Sequence, residues 1–303
     1  MTKKTSNLFI GTITWLLFIL FQLFLAPFST LNLVSVIVLF AILIVIPMIL
    51  PTVQRNDRFY KSAFIFSRPA GILAACSLLF PQGWIAVLLV LPWFAVTILI
   101  ALSGLTSIVI NKQFSLPGVL VENIAFIYIA VGGAWLFLHQ TGAPIMDFSN
   151  VIILLTAIHF HYAAFIAPII VAFVGKQLSI KGYSWISIGM IISPPLVAIG
   201  ITGSDIIEAI GVSVFVATLF TYAVLCLLRW VPYMEAKLSK FWFLISSLSL
   251  IVAMTAAFVY DMRGTLSITQ MVWLHGGLNS FGFAFFGALG VMKSREKSVE
   301  FDS

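Results

Sequence analysis

Two histidines one residue apart, His159 and His161 in the run TAIHFHYAAFIAP, are the side chains best able to do chemistry in a very apolar chain. Imidazole is neutral or charged near pH 7 and ligates metals and haem iron, so a pair of them points to proton transfer or metal chemistry. Two positions along an α-helix turn the side chain by about 200°, so the two rings face nearly opposite ways and do not share one mononuclear metal on a regular helix. Either they serve two sites, or one ligates while the other bonds to a neighbouring helix; the plainer alternative makes both interhelical hydrogen-bond partners. Pro168 removes a backbone donor and frees a carbonyl near Ala164, which bends the helix past the histidines.

A second polar set lies in MVWLHGGLNSFGFAFFGALG. His275 and Asn279 are four residues apart and share a helix face. Gly276, Ser280, Ala284 and Ala288 form a small-residue stripe that lets another helix come close, near enough for His275 to meet His159 or His161. Such a set holds a single metal ion or a haem, with Asp205 or Glu208 as carboxylate partner and a metal-activated water as one outcome. Packing alone also explains the stripe.

The acidic groups are candidates for a proton relay. Glu122, beside Asn123, sits about six residues inside an apolar segment, where it either faces water or passes protons within the bundle. Asp205 and Glu208 open another in TGSDIIE, a pattern that also suits a capped helix start. His139 reads as interfacial. Ser193, Pro194 and Pro195 stand in mid-segment; adjacent prolines interrupt the hydrogen-bond ladder, and a broken helix is a common way for transporters to expose carbonyls to a substrate.

The elements that position these groups follow from composition. The 303 residues are 61% hydrophobic and 9% charged, with mean hydropathy +1.14. A soluble domain carries roughly 25% charged residues, whereas a bilayer demands about 20 apolar residues per spanning helix. Ten such segments stand out, at 8–27, 31–50, 63–80, 84–110, 116–138, 149–174, 183–202, 205–228, 240–260 and 267–292. The expectation is an all-α polytopic bundle forming one integral membrane domain over 1–303. The basic start followed by an apolar run, with no small-x-small cleavage site, reads as a retained first helix rather than a signal peptide.

Of the 16 basic residues, all but Arg263 fall in alternate loops, at the termini or, like Arg68 and Lys240, at the adjoining starts of segments. That bias places both ends on the cytoplasmic side of the membrane. The net charge of +6 is spread through short loops, with no basic stripe, so it reads as a topology signal and not as a nucleic-acid surface. Cys76 and Cys226 lie toward opposite faces, which argues against a disulfide, and there is no CxxC. Five segments plus five would form an inverted repeat; only the pairs Gly132-Gly133 and Gly276-Gly277 match by eye. HExxH, P-loop and GxSxG motifs are absent, so ATP-driven transport and ordinary hydrolysis have no motif behind them.

The HFHYAAF and WLHGGLNSFGF runs, in a decahelical apolar chain, resemble the YndJ-like membrane proteins of Bacillus and relatives. The resemblance covers most of the chain and implies a bacterial plasma-membrane protein, in a family sometimes labelled transporters. Over four residues HFHY also resembles the large subunit of haem-copper oxidases, where each histidine of that helix ligates a different haem. By that resemblance His159 and His161 would face two haems. Only His139 and His275 remain as further histidines, which rules out a complete haem-copper centre and leaves a single haem or metal site open. Three readings follow. One is a transporter of a small solute or ion, another an intramembrane metal- or haem-dependent enzyme using His159, His161 and His275. The third is a non-catalytic assembly or sensor subunit.

Overall fold

The computed structural model describes residues 3–25, 29–115, 117–178, 180–263 and 267–301, and among these every regular element is helical. The side chains of Lys3, Lys4, Arg263, Arg295 and Lys297, which entered the topology reading, lie outside the described residues. Helices occupy all of the ten expected segments: α1 (Lys3–Leu25), α2 (Thr30–Thr52), α3 (Arg58–Ser77), α4 (Trp84–Val109), α5 (Val119–Thr141), α6 (Asn150–Gln177), α7 (Tyr183–Gly203), α8 (Asp205–Tyr233), α9 (Lys237–Arg263) and α10 (268–301). Seven, α2 and α4 to α9, are long and apolar enough to cross a membrane. In α1 the apolar part is only Leu8–Phe24, and α3 carries Arg58, Lys61 and Arg68.

The chain divides into two compact units, Met1–Asn111 with Phe126–Phe165, and Lys112–Ala125 with Ile166–Ser303. α5 and α6 thus contribute to both.

In the first unit α2 is buried on every side from Leu33 to Leu50, apart from half-buried Pro47. A helix apolar all round belongs inside a bundle. Three aromatic donors fasten it: Trp15 Nε1 to Val36 O at 2.9 Å, Tyr162 OH to Ile37 O at 2.9 Å, and Tyr60 OH to Leu50 O at 2.8 Å. Each satisfies its own polar atom in an apolar setting while bonding to backbone that side chains rarely reach.

Several long helices widen locally into π-turns. In α2 the π segment is Ala41–Val45, in α6 Tyr162–Ile166 and in α8 Cys226–Trp230. Each is followed two residues later by a proline, Pro47, Pro168 or Pro232. A proline ring collides with the carbonyl four residues back and offers no N–H, so opening the preceding turn accommodates it without ending the helix. α10 contains two π segments, Val272–Gly276 and Leu278–Ala284, in a stretch without proline but with Gly276, Gly277 and Gly282.

In the second unit α7 and α8 pack as an antiparallel hairpin whose glycines face the partner helix: Gly189 lies against Thr218, Gly211 against Val197 and Gly200 against Glu208. A methyl group at any of these would meet the opposite helix, so small residues set the close approach. Pro194 and Pro195 lie inside α7, yet it runs unbroken from Tyr183 to Gly203. This corrects the expected break at Ser193-Pro194-Pro195. The buried Ser193 hydroxyl donates to Gly189 O at 2.7 Å, and hairpin contacts flank the prolines on either side.

α9 and α10 pair in the same manner, Gly282 against Ser249 and Gly290 against Phe243. Between them Ser246 Oγ donates to Phe283 O at 2.8 Å. That carbonyl falls in a π segment, where backbone acceptors are left over from the regular ladder.

Candidate functional site

The two histidines of α6 diverge as their spacing demands. His161 is fully buried, whereas His159 is half-buried and set edge-on to Phe160. Around His161 the packing of α4, α5 and α6 is tight. Its Nδ1 lies 2.7 Å from Ala157 O, and its Nε2 lies 3.1 Å from Trp93 Nε1, with the rings stacked at 6.0 Å. Indole N–H only donates and a carbonyl only accepts, so the ring must be neutral with its proton on Nδ1. Both nitrogens are therefore occupied. Gly132 permits this, since a methyl there would lie 2.7 Å from His161 Nδ1, and neighbouring Gly133 admits Thr97 of α4.

His275 and Asn279 come together as expected. His275 Nδ1 lies 2.9 Å from Ala253 O, and Asn279 Nδ2 lies 3.1 Å from His275 Nε2. The carbonyl of Ala253 only accepts, which places a proton on Nδ1; the Asn279 amide nitrogen lies 3.3 Å from Nδ1 as well and so stands against the ring across both nitrogens. The pair sits where the two π segments of α10 meet, a feature frequently found at functional sites.

His161 thus has each ring nitrogen engaged by a group of fixed role, and a metal or haem iron would need the lone pair that it has committed to Trp93. Among the described residues no group of three or more His, Cys, Asp or Glu side chains is placed to hold a metal ion. Cys76 and Cys226 are both free thiols.

Glu122 is 6% exposed and does not face water: its Oε2 meets Lys176 Nζ at 2.5 Å. Lys176, read in the sequence as a loop residue, is the penultimate residue of α6, and Glu122 lies in the first turn of α5, so the pair ties the two helix ends. Asn123 beside it is fully buried and donates to Gln113 O at 3.0 Å, fixing the loop ahead of α5. Gly118 faces the alkyl stem of Lys176, where a side chain would block the reach to Glu122. Asp205 and Glu208 occupy the first turn of α8 behind the N-cap Ser204, a placement that suits the positive end of the helix dipole. Asp205 is exposed and Glu208 half-buried.

His139 is buried at the end of α5, with Nδ1 3.0 Å from Gln140 Oε1. Gln140 donates to Ser77 Oγ at 2.9 Å and Gln82 donates to His139 O at 2.7 Å, so this end of the first unit is closed by a polar network. Sequence reasoning missed Trp93, whose indole decides the state of His161, and Lys176, which decides that of Glu122. Trp93 follows Pro92 in mid-helix and has no local mark of its role; Lys176, at the end of an apolar run, had one that pointed to the loop.

A family model described as YndJ-like protein matches residues 36–283. The uncharacterised membrane protein YndJ of Bacillus subtilis (strain 168) is 31% identical over 306 residues, covering 97% of this chain and 54% of that protein. The chain therefore spans about half the length of this curated relative. No solved structure matches.

Proposed function

The chain belongs to the YndJ-like family of membrane proteins, and we propose that it is a transporter-like protein moving a small solute or ion across a bacterial plasma membrane. The observation that carries this is the Glu122–Lys176 ion pair at 2.5 Å, with the carboxylate 6% exposed on a membrane-length helix. Glu122 lies in the first turn of α5 and Lys176 at the end of α6, so the pair stands at the end of the apolar spans, where a buried, paired carboxylate is a candidate for an ion pathway. A pair linking two helix ends is also a natural gate, because separating the two charges frees the ends from one another.

The proposed topology is ten crossings with both termini cytoplasmic, supported by ten helices at the expected positions and by the one-sided distribution of basic residues. It puts Glu122 and Lys176 at the inner face and Asp205 and Glu208 at the outer face. The outer carboxylates would take up protons that the inner pair releases, with His275 and Asn279 as polar stations in the outer half. A metal- or haem-dependent enzyme built on His159, His161 and His275 draws less support, because His161 uses both ring nitrogens in hydrogen bonds.

Reconstituted vesicles holding a pH-sensitive dye test the reading against a panel of small ions and polar solutes. We expect at least one to drive an internal pH change or to accumulate; vesicles indistinguishable from protein-free ones across the panel would contradict it.

A further inference from the structure

The segment joining α2 to α3 forms a cleft of about 410 Å³ whose lining includes Val53, Gln54, Arg55, Asn56, Tyr60 and Phe64. Its arginine is held in advance. Arg55 Nη1 bonds to Ser103 O at 3.1 Å and to Ser103 Oγ at 3.3 Å, and its guanidinium lies 4.1 Å over the Phe126 ring. The Ser103 hydroxyl is itself fixed by donating to Asp57 Oδ2 at 2.6 Å. Asp57, the acidic residue of this stretch, is also engaged at Oδ1 by Tyr60 N at 2.9 Å, where it caps α3. A positive group positioned this way loses little freedom when an anion arrives.

The surroundings are basic on one side and greasy on the other. Arg58 and Lys61 are exposed at the start of α3. Further along the same face Arg68 sits 6.0 Å from the Phe64 ring, and its Nε is buried with no hydrogen-bond partner. Phe64, Ile65 and Phe66 are 37%, 66% and 55% exposed and continue from the cleft into the apolar run of α3. A free anion has no use for that wall, whereas an amphiphile with a charged head does.

We propose that this cleft binds the phosphate-bearing headgroup of an anionic phospholipid, with the phosphate toward the basic rim and the glycerol and first acyl carbons along Phe64. Basic residues beside the cytoplasmic leaflet attract anionic lipids at about 1 kcal/mol per charge, or about fivefold in affinity.

The test is a thermal-stability titration of the detergent-purified full chain. Ligands are a short-chain phosphatidylglycerol, a phosphatidylcholine of the same chain length, and inorganic phosphate. The expected result is saturable stabilisation by phosphatidylglycerol alone, with apparent affinity falling about fivefold in each of Arg58→Gln and Lys61→Gln. Arg55→Gln is left aside as a decisive variant because Arg55 also ties the linker to α4. Equal stabilisation by phosphatidylcholine, or variants that titrate like the wild type, would overturn the proposal. Stabilisation reproduced by inorganic phosphate would overturn the lipid as the source.

Discussion

Trp93 donates its indole N–H to His161 Nε2 at 3.1 Å, while His161 Nδ1 faces Ala157 O at 2.7 Å. Ala253 O engages His275 Nδ1 at 2.9 Å, with the Asn279 amide against the same ring. His161, which looks like a metal ligand in the sequence, is therefore a neutral, saturated hydrogen-bond junction. In an apolar interior such a junction fixes helix register, because a donor moved by one position strands an acceptor that has no water to turn to.

Trp93→Phe leaves His161 Nε2 buried without a donor. The expected loss is about 1–2 kcal/mol of stability, read from thermal or denaturant unfolding in micelles. A double-mutant cycle with His161→Leu should recover part of it, since removing both polar partners removes the stranded acceptor. Additive losses would show that the bond contributes nothing.

Gly132→Ala would place a methyl 2.7 Å from His161 Nδ1, so it should destabilise by about 1–3 kcal/mol through overpacking. Gly277→Ala is the control: nothing lies within 4 Å of its added methyl, and helix propensity favours alanine by up to about 1 kcal/mol. The two variants should shift the melting temperature in opposite directions.

Because both nitrogens of His161 are in use, protein purified from haem-replete cells should show no Soret band that depends on His161. His161→Ala should lower stability without changing the visible spectrum. A stoichiometric Soret band lost in that variant would restore the haem reading.

The helices were legible and the side-chain pairings were not. A bilayer needs apolar runs of fixed length, so each expected segment, for instance 84–110 against the observed Trp84–Val109, could be read from local composition. Trp93 and His161 are 68 positions apart, and Glu122 and Lys176 are 54 apart. No local pattern encodes such a meeting. The proline pair of α7 misled because proline's local preference is helix-breaking, whereas α7 runs unbroken between contacts with α8 that flank the prolines. The π segments did leave a mark, a proline two residues past each of three of them, but their presence depends on how the carbonyls are used in three dimensions.

Topology is checked by single cysteines placed in a variant lacking Cys76 and Cys226 and exposed to a membrane-impermeant maleimide. A cysteine at Asp147, which is exposed between α5 and α6, should label in intact cells. One at Lys61 or Lys181 should label only after permeabilisation. The reverse pattern would invert the proposed orientation, and labelling of all three in intact cells would break the ten-crossing arrangement.

Removing the carboxylate tests the gate itself. Glu122→Gln keeps the side-chain shape and leaves Lys176 without its counter-charge, at an expected stability loss on the order of 1–3 kcal/mol given the partial exposure of the lysine. The decisive measurement is proton flux in dye-loaded vesicles containing equal amounts of folded wild-type and Glu122→Gln protein, driven by the solute found active for the wild type. Flux at least tenfold lower in Glu122→Gln is the predicted result; flux equal to that of the wild type would contradict the account.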